Sequence, residues 1–206
     1  MKTPVIALAF LLSIAGLGAQ GLVDFNNRVL ADINGPSIDA PIYLTYDPES
    51  GLFGNKVPGG AGYRAALYGG VGNLAADSSL VILSNPFTSA TSVDFRTTVA
   101  TFGYVNVGTE GARTVPGAGY DVTVTLQIRA WAGGYASYEE ALLAGEDELG
   151  KSNLIVMNTS GVEDQNAPRL IGLQPFALTT APIPEPSTIV LVLLGAAGLA
   201  CMRRRG

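Results

Sequence analysis

Between Tyr120 and Trp131 the chain alternates without a break. Val122, Val124, Leu126, Ile128 and Ala130 fall on one side, and Asp121, Thr123, Thr125, Gln127 and Arg129 on the other. A period of two is the signature of a strand with one face in a core, so the stretch predicts a half-buried antiparallel strand. Shorter runs of the same kind surround it: Leu22 to Phe25, Tyr43 to Tyr46, Arg64 to Tyr68, Ser79 to Leu83, Ser92 to Phe95, Val99 to Val107, Asn153 to Met157 and Leu170 to Leu178. Turn signals such as Pro58-Gly59-Gly60 and Asn85-Pro86 separate them. Eight to ten strands spaced in this way predict an all-β fold, a single antiparallel β-sandwich of jelly-roll or immunoglobulin-like type. With 26 Gly, 12 Pro and only 14% charged residues, the composition agrees.

One helix interrupts the strands. Ser137-Tyr138-Glu139-Glu140 reads as a capping box with Ser137 as N-cap, and Gly145 stops the helix after Ala144. This accounts for Glu139 and Glu140 without assigning them any chemistry.

The two ends belong to a different kind of structure. Lys2 followed by the apolar run Val5 to Leu17 fits a secretory signal peptide. Small residues at Gly18, Ala19 and Gly21 mark the cleavage region, which assigns residues 1–21 to the signal peptide and 22–183 to the exported domain. At the other end, Pro184-Glu185-Pro186-Ser187-Thr188 leads into fourteen uncharged residues, Ile189 to Met202, and then Arg203-Arg204-Arg205. Fourteen helical residues reach about 21 Å against a hydrocarbon core of about 30 Å, a short span that Thr188 and snorkelling arginines extend. Arginines beside a span stay on the cytoplasmic side, which leaves the bulk of the chain outside.

The triplet Pro184-Glu185-Pro186, the apolar helix at 188–202 and the cluster Arg203 to Arg205, in that order, resemble the PEP-CTERM sorting signal of Gram-negative bacteria. The resemblance implies an exosortase-type membrane protease as partner, a transient stay in the inner membrane, cleavage near the triplet, and delivery to the cell surface or extracellular matrix. The chain would be the substrate of that protease and not an enzyme. The middle of the chain carries further motifs: Phe25-Asn26-Asn27-Arg28, Ala66-Leu67-Tyr68-Gly69, Gln127-Ile128-Arg129-Ala130-Trp131, Ser137-Tyr138-Glu139-Glu140-Ala141, Lys151-Ser152-Asn153 and Gly172-Leu173-Gln174-Pro175-Phe176. Together they resemble an uncharacterised group of PEP-CTERM proteins common in Verrucomicrobia and related bacteria, a group that brings no catalytic or binding residues with it. A structural reading of the same motifs makes Trp131 a core aromatic and pairs Arg129 with Glu139 or Glu140.

Composition narrows the chemistry. There is no His, and the one Cys, Cys201, lies in the tail, so Ser-His-Asp and Cys-His machinery, zinc sites built on those ligands, and intrachain disulfides are all excluded. No cofactor is implied. Without Lys2 and the terminal arginines, eight basic residues face seventeen acidic ones, which argues against nucleic acid as a partner. A run of three acids, Glu146-Asp147-Glu148, lacks the alternation of calcium loops and reads as a solvated loop. The glycines of Gly69-Gly70-Val71-Gly72 follow a strand but precede no helix, a weak phosphate-loop signal.

The leading expectation is therefore a non-catalytic exported surface or matrix protein. The alternative is a carbohydrate-binding module for exopolysaccharide, using exposed Tyr43, Tyr46, Tyr63, Tyr68, Tyr135 and Tyr138 as stacking platforms. Third comes a glycoside hydrolase, whose carboxylate pair would be Glu140 with Asp121 or Asp94.

Overall fold

A computed structural model describes residues 21–31, 35–74, 76–109, 111–160 and 167–180, apart from the side chains of Ala61 and Thr180. The fold is built on two long strands, β6 (Gly60–Val71) and β10 (Thr123–Ala132), paired antiparallel from Val124 opposite Val71 to Ala132 opposite Tyr63. On the far side of β10 lie β11 (Leu149–Lys151) and β12 (Ile155–Asn158). Beyond β6 lie β7 (Val81–Ile82) and β8 (Ser92–Phe95). These six strands make one layer.

Three small sheets supply the opposite layer. The first joins β1 (Gly21–Asp24) to β9 (Ala112–Val115), and the second joins β2 (Arg28–Val29) to β3 (Ile38–Asp39). The third runs β13 (Phe176–Thr180), β4 (Ile42–Asp47), β5 (Leu52–Phe53), and here β13 pairs with β4 in parallel. Val124, Leu126, Ile128 and Ala130 of β10 meet Val23, Ile42, Val115, Phe176 and Leu178 in one core. The all-β class and the apolar face of β10 are as the alternation predicts.

The opposite face of β10 departs from the expectation of a half-buried strand. Thr125, Gln127, Arg129 and Trp131 are all buried. The cover is α1 (Tyr138–Leu143) together with the 3-10 turn Asp77–Ser79, and Ala66, Tyr68, Leu80, Trp131, Tyr138 and Ala141 form a second, smaller core beneath it. Polar side chains tolerate this burial because each finds a partner, as described below.

The helix itself follows the reading closely. Ser137 accepts a hydrogen bond from the Glu140 N–H, and Gly145 closes the helix at φ +79°. Glu140 reaches back one residue further than in a standard capping box, to the Ala136 N–H.

Three strand expectations and the phosphate-loop signal need correction. Val99 to Val107 is not a strand: Val99–Thr101 is a 3-10 turn with Val99 exposed, and only Val105 forms an isolated bridge, to Phe95. β-Branched residues favour strands only where a neighbouring strand takes their hydrogen bonds. Here Gly103 turns the backbone at φ +79°, close against the Ile42 carbonyl. Leu170 to Leu178 is a strand only from Phe176, because the chain turns at Ile171–Gly172. Ser79 to Leu83 shrinks to Val81–Ile82 after the turn at Asp77–Ser79. Finally, Gly69 and Gly70 lie inside β6, where a Cβ would collide with the side chains of Leu126 and Leu74 respectively, so they serve close packing and form no phosphate loop.

Candidate functional site

Two surfaces of the described residues combine concavity with chemistry, and Lys151 of β11 lines both. The first is a cleft of about 460 Å³ between α1 and the β6–β7 edge, with Arg129 at its base. Each guanidinium nitrogen is engaged: the group donates to the Glu139 carboxylate, to the Asp77 carbonyl at 2.6 Å and to Gln127 at 3.0 Å. It also lies 4.1 Å over the Tyr68 ring and 5.6 Å from that of Tyr138. Tyr68 donates to the other Glu139 oxygen at 2.6 Å, and Lys151 donates to Asp77 at 2.7 Å.

Burial and the neighbouring Glu139 carboxylate push the Tyr68 phenol well above its usual range. Burial also raises Tyr138, while the Lys151 hydrogen bond lowers Asp77. With every charge answered from within, the cleft is a clamp that fastens α1 to the sheet.

The same logic runs through the other motifs. Gln127 donates to the Ser152 carbonyl, and the Ser152 hydroxyl accepts from the Ile128 N–H. Asn153 donates to Gly172 and accepts from the Gln174 N–H. Asn27 is wholly buried, donating to Ala40 and Gly103 and accepting from Val105. Trp131 is a core aromatic whose indole N–H reaches the Tyr135 carbonyl at 3.1 Å. Arg129 pairs with Glu139 and not with Glu140. These motifs join one another, which is the structural reading of them.

The second surface is a shallower groove of about 500 Å³ lined by Tyr46, Phe53, Lys151, Gln174, Pro175 and Phe176. Phe53 stacks on Tyr43 with centroids 4.5 Å apart and meets Tyr46 at 5.0 Å. Leu52 and Phe53 of β5 are exposed. No sequence signal singles out Phe53, because it acquires aromatic neighbours only through its pairing with Tyr46. A third cleft, about 370 Å³, lies between Asp24 and Arg169; burial raises Asp24 against the opposing pull of Arg169 and Arg113.

The six tyrosines do not assemble into one platform. Tyr68 and Tyr138 are interior, Tyr63 bonds to Glu148 and Tyr135 packs beside the second core. The carboxylates proposed for hydrolysis have different neighbours. Glu140 caps α1, Asp94 pairs with Arg64, and Asp121 accepts from Asn158 near the start of β10. Glu146 and Glu148 take hydrogen bonds from Glu148 N–H and Tyr63, and among the described residues no metal-holding group of acids, His or Cys occurs.

Of the processing residues, Gly21 opens β1, where its N–H donates to Ala118. Gly18, Ala19, Pro184, Glu185, Pro186 and Arg203 to Arg205 lie outside the described residues, as does the 188–202 helix. Among the described residues no helix is long and apolar enough to cross a membrane.

Residues 182–205 match the family model of the PEP-CTERM protein-sorting motif. The match begins two residues beyond Thr180, the end of β13. No curated protein and no solved structure matches the chain. The chain carries the motif processed by the exosortase system, which places it among proteins exported and sorted, in association with a membrane, toward the cell surface.

Proposed function

We propose that this bearer of a PEP-CTERM motif is a non-catalytic surface or matrix protein: a β-rich domain delivered by a removable tail, and the substrate of its sorting protease. The observation that carries the reading is the sorting motif starting two residues after β13, the last strand among the described residues, so nearly the whole chain before it is passenger. Support comes from the hydrogen-bonded motifs. Arg129, Glu139, Gln127, Ser152 and Asn27 spend their bonding capacity on each other and on backbone, as structural residues do. Catalytic groups, by contrast, are held with a free atom facing a cleft.

The carbohydrate-binding alternative loses Tyr68 and Tyr138 as platforms, since both are interior, and is left with Tyr43 and Tyr46 beside Phe53. The test is the intact mass of the protein recovered from the surface and medium of its own host. A mass ending near Pro184-Glu185-Pro186, without Ile189 to Gly206, is the expected result, and any excess identifies the surface acceptor. A chain that still carries residues 189–206 overturns the removable tail and makes it a permanent anchor.

A further inference from the structure

The tail leaves the domain beside an exposed apolar corner. Thr180 pairs with Tyr46, and Tyr46 pairs with Phe53 on the next strand. Strands lie about 4.8 Å apart, so the chain exits about 10 Å from Phe53. Leu52, opposite Asp47 in the same ladder, is 67% exposed, and Phe53 is 38% exposed. β5 pairs only with β4 among the described residues, which leaves its outer edge open.

Chain length turns that proximity into an orientation. Residues 181–188 separate Thr180 from the apolar run, and fully extended they span about 30 Å at most. A domain of this size is about 40 Å across. The tether is thus shorter than the domain it holds, and the exit corner has to face whatever surface holds residues 189–202.

We infer that this corner, Leu52 and Phe53 with Tyr43 and Tyr46 behind them, docks on the lipid surface of the bilayer that holds the tail before the tail is cut. The inference rests on the reading of the tail as a membrane segment. The chemistry is that of a membrane interface: a Leu-Phe tip for the acyl boundary, backed by tyrosines whose hydroxyls stay with headgroups and water. Two apolar side chains suffice because the tether supplies an effective concentration in the millimolar range. The neighbouring charges are Asp47 at the end of β4, Glu49 in the turn before β5, Lys56 bridged to Tyr43, and Lys151 in the groove. Asp47 is held ionised by hydrogen bonds from the Ser50 hydroxyl and the Glu49 N–H. Lys151 is answered by Asp77. With no net positive charge at the corner, docking runs on apolar contact and proceeds on zwitterionic lipid.

The experiment is amide hydrogen exchange on the full chain reconstituted in phosphatidylcholine–phosphatidylethanolamine vesicles, against the same chain after proteolytic release at the triplet. Amides of residues 46–55 are expected to exchange at least tenfold more slowly in the anchored chain, with amides of β10 unchanged. Leu52→Glu, whose side chain already stands in solvent, is expected to abolish that protection while leaving Trp131 fluorescence unaltered. A Phe53→Ser variant, which removes the ring from the tip, is expected to do the same. Equal exchange at 46–55 in anchored and released chains overturns docking while the membrane reading of the tail stands. Failure of the full chain to float with the vesicles overturns both. Protection that persists after release means that the corner is covered from within or by another ligand such as a glycan, and it overturns the lipid assignment.

Discussion

Glu139 is the residue whose removal tests the clamp most directly. Its carboxylate answers Arg129, whose side chain is 6% exposed, and also takes the Tyr68 hydroxyl. Stripping the partner from a fully buried cation costs roughly 3–5 kcal/mol. Glu139 itself is half in solvent. Water therefore takes over part of its role, which brings the cost of Glu139→Ala to about 2 kcal/mol. For a domain of this length that is a fall in melting temperature of about 4–8 °C. The assay is urea unfolding followed by Trp131, the one tryptophan, two residues from Arg129 on β10. Arg129→Met completes a cycle, since with the cation gone Glu139→Ala should cost only about 1 kcal/mol, for the lost Tyr68 hydrogen bond. A Glu139→Ala midpoint equal to wild type, or strictly additive changes, would refute the clamp.

Loss of the α1 cap in Ser137→Ala should cost about 1 kcal/mol and speed hydrogen exchange within Tyr138–Leu143. In Gly150→Ala the new methyl would lie 2.4 Å from the Ala177 carbonyl on β13, so about 2–3 kcal/mol of overpacking and faster exchange in Phe176–Thr180 are expected. Alkali tests the buried phenols: burial raises Tyr68 far above 10 and takes Tyr104, bonded to Asp39, up to about 12. Because these folded values lie above the unfolded one, their contribution is complete below about pH 10 and lost as pH rises through the folded values. Absorbance at 295 nm should then show Tyr68 and Tyr104 among the last of the eight tyrosines to titrate, together with unfolding, whereas eight titrating near pH 10 without loss of the Trp131 signal would contradict this.

What was legible in the chain was whatever depends on near neighbours. The apolar face of β10, the cap at Ser137 and the stop at Gly145 are local patterns, and the folded chain keeps them. The burial of Gln127 and Arg129 was not legible, because their cover comes from Asp77–Ser79 and α1, and no alternation announces what will be laid on top of a strand. Val99 to Val107 failed for the same reason in reverse: β-branched residues with no strand to pair with. β9 was missed because buried Arg113 and Thr114 break its apolar run, Arg113 lying 5.1 Å over the Phe25 ring. The sorting tail was legible entirely from sequence, since its three parts are consecutive, while the Phe53 groove exists only through pairing between β4, β5 and β13.

That pairing also limits where the chain can be cut. At the front, Leu22 and Val23 are interior, and Gly21 sits so close to Thr159 and the Gly119 carbonyl that only glycine fits. Cleavage after Gly18 or Ala19 leaves β1 whole, whereas cleavage after Gly21 removes the residue whose N–H donates to Ala118. At the back, Phe176 and Leu178 are core residues of the strand that runs into the sorting motif. Losing both would remove burial worth about 1.5–3 kcal/mol each, against a total stability of about 5–15 kcal/mol for a domain. A chain ended after Pro175 should therefore unfold at a urea midpoint far below that of a chain ended after Pro186, which should match the full domain by Trp131 fluorescence. Equal midpoints would mean that β13 is dispensable. If they differ as expected, the signal is borne by a strand the fold needs, and a cut at the triplet, only a few residues beyond that strand, releases the domain without loosening it.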